Sequence, residues 1–155
     1  MDWESLIALS HVAAAVSALV LGAVVILREK GTSTHRMFGG GYVMLLLAVN
    51  VAALLLHREA TFGVFHVLSL VSLVTVLVGV VPMVIGSRSP ATIARHAYFM
   101  VWSYAGLVAA GVGQLGASRL DGSPLMVFAV IGGTLAVCAG LIAWRVPPVL
   151  AKTIG

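Results

Sequence analysis

The chain has 155 residues, 61% hydrophobic and only 9% charged, with 17 glycines and a formal net charge of +4. That is a membrane composition and excludes an ordinary soluble domain. The basic residues are scattered through short loops with no stripe of interleaved aromatics, which excludes a nucleic-acid partner.

The first apolar run is Ser5–Leu27. Asp2 and Glu4 precede it in place of Lys or Arg, and it is too long for the apolar region of a signal peptide, so it is expected to stay in the mature protein. Gly31-Thr32-Ser33-Thr34 follows, a helix terminator and an N-cap for the next helix. The second run is Met37–Leu56 and the third, rich in Val, is Phe62–Ile85, with Pro82 in its last turn as a candidate bend. Ser89-Pro90 is an N-cap followed by Pro at the first helical position. The fourth helix is therefore expected to begin near Pro90, ahead of its apolar run Ala97–Leu115. Gly122-Ser123-Pro124 is a turn before the fifth run, Leu125–Trp144. The lone cysteine, Cys138, lies in that run and reads as a buried thiol.

Every Lys, Arg, Asp and Glu lies outside these five runs. Each run is near the ~20 residues that a helix needs to cross ~30 Å of hydrocarbon. Strands are excluded, because the runs lack alternation and lipid leaves an open sheet edge unsatisfied. The expected fold is all-α, a single integral membrane bundle of five transmembrane helices over residues 1–155. With the N-terminus outside and the C-terminus inside, seven basic residues (Arg28, Lys30, Arg36, Arg88, Arg95, Arg145 and Lys152) face inward and two (Arg58 and Arg119) outward. That is the positive-inside pattern. Trp3 and Trp144 fall at opposite edges, where interfacial aromatics belong.

Histidines, unlike Lys, Arg, Asp and Glu, lie inside the runs or at their edges. An imidazole in or beside hydrocarbon is costly to leave unpaired, which makes such residues functional candidates. His11, six residues into a helix entered from outside, lies ~9 Å deep, and His66, four residues past the start of the third run, ~6 Å deep. His35 and His96 lie at the inner edge, at the starts of the second and fourth runs. Alternate helices thus supply an outer pair and an inner pair. In a square bundle each pair would sit on diagonal helices, the arrangement for two haems stacked across a membrane with imidazoles as axial ligands. His11, Ala15, Ala18 and Gly22 share one stripe, and His96, Ser103, Ala110 and Gly113 another. Small residues there leave room for a macrocycle and equally allow close helix packing. His57, beside Arg58 and Glu59, reads as solvated.

Further polar and aromatic residues are candidates for a supporting shell. Asn50 and Gln114 sit in the outer halves of the second and fourth helices, as second-shell donors or as interhelical hydrogen bonds. Tyr42, Trp102 and Tyr104, with Tyr98, lie toward the inner face, lining a cofactor or quinone pocket or forming an aromatic belt. Arg36 and Arg95, each beside an inner His, are placed to pair with haem propionates or to anchor the topology. Met100, one turn beyond His96, is either a ligand or core filling. No phosphate-binding glycine fingerprint, zinc-protease motif or CxxC is found, and no carboxylate lies in a span, which argues against a proton-coupled transporter.

His11, the segment Thr34-His35-Arg36-Met37-Phe38-Gly39 with Tyr42, the pair Phe65-His66, and the run from His96 to Tyr104 resemble the DUF2306 group of bacterial membrane proteins. The resemblance spans His11 to Gln114 and implies a small helical membrane protein. The diagonal histidines are also similar in logic to cytochrome b561-like dihaem proteins. The reading expected first is a b-type cytochrome with one or two haems, residing in a bacterial plasma (inner) membrane. It would exchange electrons with a quinone or another redox protein, as a monomer or a homo-oligomer. As an enzyme it would be a transmembrane oxidoreductase. The alternatives are a zinc or copper site built from the same histidines, and a cofactor-free accessory subunit of a larger complex.

Overall fold

A computed structural model of the chain describes residues 2–56, 64–119 and 123–154. Five α-helices make up the described structure: α1 Trp3–Leu27, α2 Ser33–Leu55, α3 Val64–Ile85, α4 Pro90–Arg119 and α5 Pro124–Ile154. No strand occurs among the described residues. All five helices are long and apolar enough to cross a membrane. The five-span all-α fold expected from the sequence is the fold observed. His57, Arg58, Glu59, Phe62, Asp121 and Gly122 lie outside the described residues.

The helix ends follow the local chemistry. The Asp2 carboxylate caps α1 by accepting from the Ser5 amide at 3.0 Å. At the other end of α1, the Lys30 ammonium donates to the carbonyls of Val25 and Ile26 at 2.8 and 2.7 Å. A cation there is favoured by the helix dipole and satisfies carbonyls that have no donor within the helix. Burial of that ammonium pulls its pKa below the ordinary lysine value. Gly31 then turns the chain with a left-handed φ of 81°, and the Thr32 hydroxyl caps α2 by accepting from the His35 amide at 3.1 Å. Ser89 does the same for α4, accepting from the Thr92 amide at 3.2 Å, with Pro90 at the first helical position.

One element runs well past its expected limit. The sequence ends the fifth span at Trp144, yet α5 continues through Pro147 and Pro148 to Ile154. These prolines deprive the carbonyls of Ala143 and Trp144 of their in-helix donors. Both residues are exposed at the edge of the span, where water can replace the lost bonds. The second cause is packing: Ile142, Val146 and Leu150 are buried in one cluster with Ala105, against which Ile93, Ala94, Ala97 and Tyr98 of α4 pack. At 1.5 Å per residue α4 and α5 are each ~45 Å long. Their paired ends therefore extend well beyond a ~30 Å hydrocarbon layer. The Arg145 guanidinium lies 4.3 Å from the centre of the Trp144 ring at that boundary.

The chain forms two compact units, Met1–Val74 and Thr75–Gly155, with the boundary inside α3. In the first unit α1 packs along α2. Ala18, Gly22, Tyr42, Leu46 and Val49 are buried there, and the small side of Gly41 receives Leu21. In the second unit α4 packs along α5, and the Cβ that Gly113 lacks would come within 2.6 Å of Ile131. Large apolar side chains such as Leu9, Val12 and Val16 on α1 remain exposed on the outside, as lipid contact requires.

Candidate functional site: two tethered histidines

The first unit contains His11, His35 and His66, and the second contains His96. His11, on α1, is half-buried on the same stripe as Ala15, Ala18 and Gly22, and that stripe faces inward. Its Nδ1 lies 3.0 Å from the carbonyl oxygen of Val49 on α2. A carbonyl oxygen only accepts, so Nδ1 carries the hydrogen and donates, and Nε2 of the neutral ring carries the lone pair. The neighbouring Ser10 donates its hydroxyl to the carbonyl of Ile7 in its own helix at 2.8 Å.

One residue beyond Val49 is Asn50, 3% exposed. Its Nδ2 donates to the Leu46 carbonyl at 2.9 Å and to the Ser72 hydroxyl of α3 at 3.1 Å. The interhelical bond anticipated for Asn50 is therefore present. It ties α2 to α3 at the level where His11 ties α1 to α2. His66 is half-buried six residues before Ser72 on α3, and Ser69 between them is buried. His35 sits in the first turn of α2 directly after the Thr32 cap. Tyr42, two turns on, is 2% exposed.

His96 repeats the His11 arrangement in the second unit. Its Nδ1 lies 2.9 Å from the carbonyl oxygen of Gly79 on α3, so here too the Nδ1 hydrogen is donated and Nε2 keeps the lone pair. The approach depends on Gly79: a Cβ there would stand 2.9 Å from Cβ of Phe99 and 3.3 Å from Sδ of Met100. Met100 thus fills the contact between α3 and α4. Ser103, 2% exposed, returns its hydroxyl to the Met100 carbonyl at 2.8 Å. Arg95 is exposed beside His96, and Arg36 beside His35. Trp102 is 38% exposed and Tyr104 half-buried, while Gln114 faces outward from α4.

The partners of His11 and His96 are backbone carbonyls, which no sequence motif marks. Ser72 and Gly79 carried a weak signal: a hydroxyl within a span, and a lone glycine in a Val-rich helix, where close helix approach is the common reason for one.

A family model described as "Predicted membrane protein (DUF2306)" matches residues 8–150. The chain belongs to this family. The match takes in most of α5, which the resemblance read from the sequence left uncovered. No curated protein and no solved structure matches the chain.

Proposed function

We propose that this DUF2306 protein is a b-type haem membrane protein that carries electrons across or within the bilayer, with His11 and His66 as axial ligands near one face and His35 and His96 near the other. The single observation that carries the reading is the pair of Nδ1–H to carbonyl bonds made by His11 and His96. Metal-binding histidines are typically held this way: the donated hydrogen fixes the tautomer, orients the ring and makes the other nitrogen a better ligand. When bound, a haem would supply reversible one-electron chemistry tuned by its axial ligands and its burial. The chain's own contribution is to fix the ring planes from neighbouring helices and to surround the site with apolar side chains.

A haem also suits the number of ligands. Among the described residues no three His, Cys, Asp or Glu side chains gather at one place. A zinc site takes about three or four protein ligands, whereas a haem iron already holds four porphyrin nitrogens and asks the protein for two. The charge pattern supports a topology with the N-terminus outside, in a bacterial plasma membrane. The second reading, a cofactor-free accessory protein, draws on the same two bonds as interhelical ties and on the tight contact at Gly79.

The test is a visible spectrum of the purified protein, oxidised and dithionite-reduced, with a pyridine haemochrome count per chain. Sharp reduced α-bands and up to two haems per chain are expected. A colourless protein after expression with ample haem would discard the reading in favour of the accessory role.

A further inference from the structure

We propose that the groove beside Arg95 in the second unit binds an anionic phospholipid, with an acyl chain along Leu77, Val78, Val81 and Pro82 of α3 and the lipid phosphate at the Arg95 guanidinium. The inference is independent of the haem reading. The groove has a volume of about 350 Å³, and every residue lining it except Arg95 is hydrocarbon. It opens outward, with Leu77 and Val81 still 43% and 41% exposed. Such a surface in a membrane-spanning helix is covered by an apolar chain rather than by water.

The charge at its end decides which apolar chain. Arg95 is exposed, and its guanidinium makes no hydrogen bond or ion pair with another described residue. It lies in the second turn of α4, close to the Ser89 cap that starts the helix, which puts it at the level where headgroups begin. A guanidinium presents a planar fork of donors matched to phosphate oxygens. An amphiphile with one anionic phosphate and a long apolar tail satisfies both halves of the groove. A quinone lacks the charge, and a choline phospholipid brings a cation of its own to the arginine.

The full-length protein would be reconstituted into vesicles of equal parts phosphatidylglycerol and phosphatidylcholine, extracted in mild detergent, and its retained lipids counted by native mass spectrometry. Retention of phosphatidylglycerol over phosphatidylcholine is expected. Arg95→Gln should lower that preference roughly fivefold, the effect of one basic residue at an anionic surface, and Arg95→Lys should keep most of it. Val81→Trp, which fills the groove and leaves the charge, should also release the lipid, whereas Arg119→Gln at the far end of α4 should not. The proposal is overturned if the wild type shows no preference, or if either Arg95→Gln or Val81→Trp leaves it intact. An equal loss in Arg119→Gln would overturn it too, because bulk charge would then explain the retention. A change of oligomeric state in Val81→Trp with lipid retention unchanged would assign the groove to a second copy of the chain.

Discussion

The imidazole of His96 reaches the carbonyl oxygen of Gly79 at 2.9 Å because residue 79 has no side chain to hold α3 and α4 apart. The glycine and the histidine are thus one device: the first sets the distance between helices and the second uses it.

Gly79→Ala should therefore be damaging out of proportion to its size. The added methyl meets the Cβ of Phe99, which cannot swing aside without moving α4. Overpacking of this kind costs ~1–3 kcal/mol. Gly39→Ala is the control, since nothing lies within 4 Å of its would-be Cβ. That change should be neutral or stabilise α2 by up to ~1 kcal/mol. Thermal unfolding of the two variants in the same detergent checks the contrast, and equal melting temperatures would contradict the tight contact.

The bond from Asn50 to Ser72 should be measurable as a coupling. Asn50→Ala, Ser72→Ala and the double variant form a cycle whose interaction energy is expected near ~0.6–1.7 kcal/mol, the range for hydrogen bonds between membrane helices. Asn50→Ala alone should cost more than Ser72→Ala alone, because it also removes the bond to the Leu46 carbonyl. Additive effects would mean that the two side chains act separately.

The helices and their caps were readable because their causes are local. A run of apolar residues, the Thr32 and Ser89 hydroxyls and the glycine at residue 31 act within a turn or two of their own position. The end of α5 was not readable, since Arg145 followed by Pro147 and Pro148 has every local mark of a stop. It is overridden by the burial of Val146 and Leu150 in a cluster shared with α4. The histidine candidates were legible as residue types, yet what orients His11 and His96 was not. A carbonyl acceptor is present at every position, and only the packing of helices decides that Val49 and Gly79 are the ones used.

The N-terminal cap should respond to acid in a predictable direction. Hydrogen bonds from the Ser5 side chain and then from its backbone hold the Asp2 carboxyl below its usual value of 3.8. A group whose folded pKa is depressed stabilises the folded form above its unfolded pKa, and that contribution is lost as the pH falls through the folded pKa. Hydrogen exchange at the first turn of α1, corrected for the intrinsic rate, should thus be flat from neutral pH down to about 4, the unfolded aspartate value, and accelerate below it. Asp2→Asn should abolish the pH dependence while keeping much of the protection, since an amide oxygen also caps. Acid sensitivity that persists in this variant would place the titrating group elsewhere.

The histidines allow ligation and tethering to be separated by choice of substitution. Glutamine at position 96 can still offer an N–H toward the Gly79 carbonyl, and at position 11 toward that of Val49, but it provides no imidazole nitrogen for an iron. If the rings only tether helices, His11→Gln and His96→Gln should recover much of the stability lost in the alanine variants, and the spectrum should be unchanged in all of them. If they are axial ligands, the glutamine variants should keep the fold yet each lose one haem, at the outer site for His11 and the inner site for His96. His66→Ala should likewise abolish one haem and spare the other, and it should be the same haem that His11→Gln removes. Reduced-minus-oxidised spectra with a haem count per chain decide between these outcomes. Loss of neither haem in His66→Ala would remove the outer pair from the ligand set, and a common loss of both haems in every variant would point to collapse of the bundle rather than to ligation.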